Sequence, residues 1–387
     1  MNAQVEALRL QIAQLMKKAQ LASVIALCEL KLADEDADIR VVALLGLSNA
    51  VFHQGKFAPA RQYLAQAMEL AREQGSPEAQ CSLLRQNNFF IKLMIVPTEA
   101  RHQLALGQDT LKLAESSGFQ EGIVYAKIAM GNAHLEMGMK NAAQAELEEA
   151  VSIAGHLSAD VEVDALSELA SFFYVKRLSV KAIDNGQRAL NLARETGDYL
   201  STCLLLSNMS YYYFRVARDF RSYDSSIEYS QRGLALARQL GTVYGEYVAL
   251  RALGNSYHIA RLTQQAAESF QAALDIARSS GYQGWEYECL ARLSGLHTTL
   301  RNYDQAWAYA QQEMALANEL KQPRWQIHAL NIIGNVYNGK KQPDLALEYW
   351  RKAMALQVEL GMNHGLIYHF SRFIHATYPF TSRLGRK

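Results

Sequence analysis

Apolar residues along this chain recur at the spacing of an amphipathic helix, and the whole pattern returns about every forty residues. The segment 253–281 returns, with its apolar and small residues in register, at 293–317 and again at 333–361. No stretch shows sustained period-two alternation, which a half-buried strand would require. A fixed period of this length is typical of one supersecondary unit stacked on copies of itself. The pattern therefore predicts an all-α solenoid of helix-turn-helix repeats.

The repeats can be placed along nearly the whole chain. We predict eight, at 41–76, 80–118, 124–157, 163–198, 200–241, 245–281, 285–322 and 325–362. The second is lengthened near Pro97 and the fifth around 211–226. A helical pair in residues 1–40 (about 4–18 and 20–33) and an amphipathic helix in 363–387 (about 363–378) are predicted to cap the stack. Because no linker or low-complexity segment interrupts the chain, we expect one continuous domain.

Composition narrows the partners and the compartment. The 387 residues carry 39 Lys and Arg against 38 Asp and Glu, so net charge gives no argument for nucleic acid or an anionic membrane as partner. The N-terminal segment lacks the apolar core of a signal peptide, and no stretch approaches the length of a membrane span. The four cysteines are scattered without a pairing motif, which favours reduced, mostly buried thiols. We expect a soluble cytoplasmic protein.

The repeat resembles the tetratricopeptide repeat. Leu253, Gly254 and Tyr257 in the first helix, with Ala266, Phe270 and Ala273 in the second, match its signature most fully. The period of about forty residues is longer than the usual thirty-four or so, and is similar to that of kinesin light chains, G-protein-signalling modulators and bacterial peptide receptors. The resemblance implies a right-handed superhelix whose first helices line a concave groove that holds peptides or extended protein segments.

An asparagine recurs at one register of the first helices. It follows the Leu-Gly pair or its equivalent at Asn49, Asn132, Asn255 and Asn335, and Asn88 and Asn208 join the series if the extra residues lie later in those repeats. Asparagine is a mediocre helix former, so its repetition asks for a reason. Its amide both donates and accepts hydrogen bonds, as binding to the backbone of an extended peptide requires. The alternative is that each amide bonds to a neighbouring repeat.

Side chains one helical turn from these asparagines are expected to set specificity. Arg251 lies four residues before Asn255 and Asn331 four before Asn335, while His258 and Asn338 follow three residues later. Arg251 could pair with an acidic group of a ligand. The two-carboxylate clamp of chaperone-binding relatives is not found, because the corresponding positions of the seventh repeat are Ala291, Gly295 and Thr298.

Aromatic residues favour the C-terminal half as the binding half. All four tryptophans lie beyond residue 280, and most tyrosines lie at or after Tyr174. Core packing explains most of them. Tyr211, Tyr212 and Tyr213 are consecutive, and three consecutive positions of a helix cannot all face the core. We expect Tyr211 and Tyr212 to contribute to the groove.

Catalytic chemistry finds little support in the sequence. The ten histidines are dispersed, and none forms a His-Glu-x-x-His or Cys-His cluster. No glycine-rich loop is placed to cradle a phosphate. We expect no enzyme activity, no metal and no cofactor.

These observations predict a scaffold that binds a peptide or extended partner segment in its groove. The alternative is a regulatory receptor that changes conformation on binding and controls a separate effector. Direct DNA binding is disfavoured, since no helix-turn-helix or basic recognition helix precedes the repeats. Self-association through the terminal helices is a third possibility.

Overall fold

The computed structural model describes residues 2–94, 100–220 and 223–360, with the side chains of 88–94 and 216–220 left aside. Within these ranges the secondary structure is helical throughout, as the pattern predicts. The helices are α1 (Ala3–Lys17), α2 (Leu21–Lys31), α3 (Ala37–His53), α4 (Phe57–Gln74), α5 (Pro77–Met94), α6 (Ala100–Ser117), α7 (Gln120–Glu136), α8 (Lys140–Ala154), α9 (Ala159–Val175), α10 (Ser179–Glu195), α11 (Tyr199–Phe220), α12 (Asp224–Leu240), α13 (Val243–Ile259), α14 (Thr263–Ser279), α15 (Gln283–Thr299), α16 (Tyr303–Glu319), α17 (Pro323–Gly339) and α18 (Pro343–Glu359).

Within each part of the chain described below, consecutive helices pack against one another. In sequence, the helix pairs from α3/α4 to α17/α18 coincide with the eight predicted repeats. The all-α fold of stacked helix pairs is therefore confirmed. The pair α1/α2 lies where an N-terminal capping pair is predicted. The fifth repeat is longer because α11 has 22 residues, where α9 and α13 have 17 each. The predicted C-terminal helix and the lengthened turn at 95–99 lie outside the described residues.

Small residues let the two helices of a repeat approach closely. In α14 the apolar face is formed by Ala266, Phe270, Ala273 and Ala277, each 2% exposed or less. In α7, a Cβ placed on Gly131 would fall 2.8 Å from Cγ of Leu147 on α8. The requirement for a small residue after the leading apolar one is thus steric, because the partner helix fills the space that a side chain would need.

Glycine and arginine end several second helices. Gly197, Gly241 and Gly281 have φ of 66°, 65° and 67°, the left-handed conformation that glycine adopts without steric cost. Gly75 differs, since its φ is −79° and it continues in extended backbone. The arginines also bind the next repeat: Nε of Arg238 donates to Glu246 over 2.8 Å.

The helices divide into two compact units, Met1–Ile259 and Ala260–Lys387. The boundary falls between the two helices of the predicted sixth repeat, α13 and α14, and the sequence gives no sign of it. The proposed limits 1–40, 41–362 and 363–387 stay predictions. In the N-terminal unit each odd-numbered helix from α1 to α11 contacts the next odd-numbered helix, up to α13. We call the layer formed by α3, α5, α7, α9, α11 and α13 the inner layer, and α1 packs against it.

The N-terminal unit closes on itself through this layer. Helix α1 contacts α11 and α3 contacts α13, although these helices are far apart in sequence. At the second contact, Nδ1 of His53 lies 3.1 Å from the hydroxyl of Thr242, and the rings of Phe52 and Tyr244 meet edge to face at 4.8 Å. His53 is 6% exposed, and burial lowers its pKa to about 4. The closure therefore requires a neutral imidazole.

We predict that burial of His53 at this closure makes the free energy of unfolding decrease as the pH falls. An exposed histidine has a pKa of about 6.5, so the unfolded chain binds a proton first as the pH falls. The contribution of His53 is complete above pH 6.5 or so and is lost progressively towards pH 4. Between pH 7.5 and pH 5 we expect a loss of about 2 kcal/mol in the free energy of unfolding, measured by urea titration.

The control for this prediction is His53→Gln, whose amide can still bond to Thr242 but does not titrate. The other nine histidines are common to both proteins. The variant is expected to be the less stable at pH 7.5 and to lose less stability on acidification. Equal losses in the two proteins would show that His53 is not the group responsible.

The C-terminal unit has its own core, formed where α16 and α17 meet around Ala306, Ala310, Ile333 and Val336. It also buries a carboxylate. Glu313 is fully buried and is bonded by Nδ1 of His328 at 2.5 Å and by the hydroxyl of Ser294 at 3.3 Å. Buried polar groups of this kind persist only when they are paired.

Candidate partner-binding surface

Polar and aromatic side chains line the inner layer of the N-terminal unit at helical spacing. On α11, Asn208, Tyr211 and Arg215 succeed one another at intervals of three and four residues. On α13, Arg251, Asn255 and His258 do the same. Such intervals place side chains on one face of a helix. The sequence analysis names all of these residues as binding candidates except Arg215. Its position four residues after Tyr211, on the same face of the helix, could have identified it.

Tyr211 is the centre of a cluster that spans α9, α11 and α13. Its hydroxyl accepts a hydrogen bond of 3.3 Å from the amide nitrogen of Asn255. The guanidinium of Arg251 lies 5.5 Å from the centre of its ring. On the other side, the guanidinium of Arg215 lies 4.5 Å from the ring centre of Tyr174, which itself faces Tyr211 at 6.5 Å. We call Tyr174, Tyr211, Arg215, Arg251 and Asn255 the aromatic–arginine strip.

The strip is cationic and partly exposed. All five of its side chains are half-buried. Within the described residues no carboxylate pairs with Arg215. Guanidinium groups held against tyrosine rings lose little further freedom when they bind a planar anion. The strip therefore brings two guanidinium groups, two tyrosine rings and an amide together on one surface.

The three consecutive tyrosines divide as the helix geometry requires. Tyr211 and Tyr213 are half-buried, whereas Tyr212 is only 3% exposed. The hydroxyl of Tyr212 lies 3.3 Å from that of Ser171, and burial raises its pKa above the usual value. Tyr213 stacks on Tyr229 of α12 at 5.1 Å. The expectation that Tyr212 faces the groove is therefore corrected: it belongs to the core, and Tyr211 alone of the three lies in the strip.

Two of the recurring asparagines follow the alternative in which each amide bonds to a neighbouring repeat. Asn132 donates to the carboxylate of Glu168 on α9 over 3.3 Å, and Asn255 donates to Tyr211. These two amides bond to a neighbouring repeat. Asn208 is half-buried and makes no side-chain hydrogen bond within the described part of the chain. Each bonded amide uses one N–H, so donor capacity remains along the layer.

The other residues predicted to bind a partner are divided between the two units. His258 is half-buried near the end of α13 in the N-terminal unit. Asn331, Asn335 and Asn338 follow one another along α17 in the C-terminal unit. Asn331 donates to the carbonyl of Ile327 in its own helix over 2.8 Å, Asn335 is half-buried, and Asn338 is exposed.

An acidic edge borders the inner layer at the start of α7 and α9, and sequence reasoning missed it. It consists of Glu121, Asp160 and Asp164. Asp164 accepts hydrogen bonds from the hydroxyl of Tyr125 at 2.9 Å and pairs with Arg85 at 2.8 Å. Carboxylates near helix N-termini are stabilised by the helix dipole, so residue type alone carried no signal of a site.

The described residues contain no group of three or more His, Cys, Asp or Glu placed to hold a metal ion. No helix among them is long and apolar enough to cross a membrane. All four cysteines are buried, as predicted, and none forms a disulfide within the described residues. Burial raises the pKa of Cys81 to about 11.

Comparison with known proteins supports the repeat assignment. A family model described as tetratricopeptide repeat matches residues 124–156, the pair α7/α8. No curated protein matches the chain in sequence. Residues 124–156 therefore match a tetratricopeptide repeat, and the other helix pairs of the described residues repeat the same helix-turn-helix unit.

Solved structures share the fold. The APC/C hetero-tetramer Cut9–Hcn1 gives a TM-score of 0.62 at 16% identity, covering 91% of this chain and 58% of that one. A Rap protein complexed with Competence and Sporulation Factor gives 0.54 at 12% identity, over 98% and 99%. A signal-transduction ATPase with a tetratricopeptide-repeat sensor from Pyrococcus horikoshii gives 0.57 at 16% identity, over 90% and 54%. The chain thus spans little more than half of two of these proteins.

Proposed function

We propose that this protein is a non-catalytic interaction scaffold that holds an extended segment of a partner protein against its inner layer. The observation that carries the proposal is the aromatic–arginine strip. Arg215 and Arg251 are positioned over tyrosine rings on neighbouring repeats, on the surface that the recurring asparagines share. Among the described side chains no carboxylate pairs with Arg215, which supports a role for this cation in binding a ligand.

The chemistry of the strip defines the segment that it fits. An acidic side chain or a terminal carboxylate would bind between the two guanidinium groups, because charge-assisted hydrogen bonds to arginine are strong and directional. Amides such as Asn208 would bond to the backbone of the segment regardless of its sequence. The tyrosine faces would pack against its side chains.

Two of the structural neighbours were solved with other molecules bound or assembled. Cut9 forms a hetero-tetramer with Hcn1, and the Rap protein holds Competence and Sporulation Factor. These facts concern those proteins, and the shared fold makes a binding role reasonable here.

A sensory receptor is the second candidate, and the closure of the N-terminal unit favours it. The contacts of α1 with α11 and of α3 with α13 could open or tighten on binding. A ligand that shifts such an equilibrium must bind one arrangement more tightly than the other. A change in radius of gyration on adding the partner would favour the receptor, and unchanged dimensions would favour the scaffold.

The test is differential capture. The intact protein and a variant with Arg215, Arg251 and Asn255 all changed to Ala are used as bait in lysate of the source organism. Circular dichroism verifies that both are helical, and mass spectrometry identifies the proteins retained. A partner retained by the first bait and lost by the second supports the proposal. Equal recovery on both baits would place the interaction elsewhere on the protein.

A further inference from the structure

Helix α1 lies across the inner layer as a ligand would. Its Arg9 pairs with Glu121 at the start of α7 over 2.6 Å, and its Lys17 pairs with Asp160 at the start of α9, also over 2.6 Å. Arg9 and Lys17 are eight residues apart, which corresponds to about 12 Å along a helix. Packed helices lie about 8–10 Å apart. The spacing of the two cations thus suits a helix that crosses two neighbouring repeats.

The face contacted by α1 is the face that carries the recurring asparagine. Glu121 and Asn132 are eleven residues apart on α7, close to three full turns, so they point the same way. Besides α7 and α9, α1 also contacts α11. On α11 an interval of eleven residues separates Leu200 from Tyr211, so these two side chains also point the same way. Helix α1 therefore covers the beginnings of α7, α9 and α11, and the later turns of α9 and α11 carry part of the aromatic–arginine strip.

The apolar side of α1 explains why the helix is stable there. Val5, Leu8, Ile12 and Met16 are buried in a cluster with residues of α2 and α3, and Leu200 of α11 belongs to the same cluster. Leu200 is 5% exposed. Across the inner layer, in contrast, the charged contacts are partly solvated: Arg9 and Glu121 are 29% and 20% exposed, and Lys17 and Asp160 are 24% and 23% exposed.

We propose that α1 is a releasable intramolecular occupant of the inner layer, held at the acidic edge by Arg9 and Lys17. Its release uncovers Leu200 and the carboxylates of Glu121 and Asp160, and so extends the binding surface from the aromatic–arginine strip towards the starts of α7, α9 and α11. A partner that competes with α1 for this acidic edge would be a helical segment with two cationic side chains about eight residues apart, as in α1.

The ion pairs at the acidic edge are partly exposed, so they contribute modestly and are weakened by salt, and it is at this edge that α1 is held least firmly. The separation in sequence supports the same conclusion. Arg9 and Glu121 are 112 residues apart, so no local folding preference places α1 at this edge. The contact persists only as long as the closed arrangement of the N-terminal unit does.

Thiol labelling tests the proposal in the full chain. Leu200→Cys places a reactive group under α1. The four native cysteines are fully buried, but Cys28 belongs to the same apolar cluster as α1, so each charge variant without Leu200→Cys gives its own background rate. In the Leu200→Cys chain, adding Arg9→Glu and Lys17→Glu is expected to accelerate labelling at position 200 about tenfold at low salt, because two attractions become repulsions. Adding Arg232→Glu instead changes a cation on α12 and should leave the rate unchanged.

Charge exchange separates release from simple damage to the fold. Combining the two glutamates with Glu121→Lys and Asp160→Lys restores opposite charges and should return the rate to within about twofold of the starting value. An unchanged rate in the first variant would overturn the proposal. So would an acceleration that the exchange does not reverse, or one shared by all the native cysteines. The assay needs no partner, so its outcome is independent of the proposed function.

Discussion

Changing Arg251 to Glu is expected to lower the affinity for the captured partner at least tenfold. The guanidinium lies over the rings of Tyr211 and Tyr247, at 5.5 and 5.8 Å from their centres, and is therefore held in place before binding. Removing one member of a desolvated, hydrogen-bonded charge pair costs about 2–5 kcal/mol, and reversing its charge adds repulsion of an acidic ligand. Isothermal calorimetry with the purified partner measures the change.

Arg232 supplies the matched control. It lies over the ring of Tyr229 at 5.6 Å, as Arg251 lies over Tyr211, but belongs to the even-numbered helix α12. Its ion pair with Glu228 spans 3.2 Å and is exposed, so little stability depends on it. Arg232→Glu should leave the affinity within about twofold. A comparable loss in both variants would point to general electrostatic attraction and away from the inner layer.

Two glycines of the C-terminal unit should respond in opposite directions to the same substitution. A Cβ on Gly334 of α17 would lie 2.5 Å from Cδ1 of Trp350, whose ring is buried on α18. Gly334→Ala is expected to destabilise the protein by about 1–2 kcal/mol, because overpacking costs 1–3 kcal/mol or so and exceeds the gain in helix propensity. Urea unfolding monitored by tryptophan fluorescence checks this result.

Gly295 lies in the middle of α15, one repeat earlier, and a Cβ there would meet no described atom within 4 Å. Gly295→Ala should stabilise the protein by about 0.5–1 kcal/mol, the ordinary difference between glycine and alanine inside a helix. If both substitutions stabilise, Trp350 moves aside at little cost, and the steric explanation for the small residue in each repeat is wrong.

The fold could be predicted because each repeat specifies its own structure. Buried alanines and aromatic residues recur at fixed intervals, as at Ala266, Phe270 and Ala273, so the helices and their pairing follow from spacing alone. The extra length of α11 could be placed only approximately. A few added residues in one repeat do not reveal whether a helix or a turn has grown.

The candidate site was predicted less completely, for a physical reason. Helical periodicity gives the face of a side chain relative to its own helix, which is why Tyr211, Arg251 and Asn255 were found. It does not fix which of three consecutive tyrosines enters the core, and Tyr212 does. Nor does it show that α1 reaches α7 and α9, because contacts between distant turns depend on the curvature accumulated over several repeats.

Site-directed photo-crosslinking tests the central claim most directly. A benzophenone amino acid is placed at Asn208, which makes no side-chain hydrogen bond within the described residues, and in a second protein at Glu228 on α12. Each protein is irradiated with the captured partner, and the products are mapped by mass spectrometry. We predict that the partner is crosslinked from position 208 and not from position 228. Crosslinking from 228 alone would contradict binding at the inner layer.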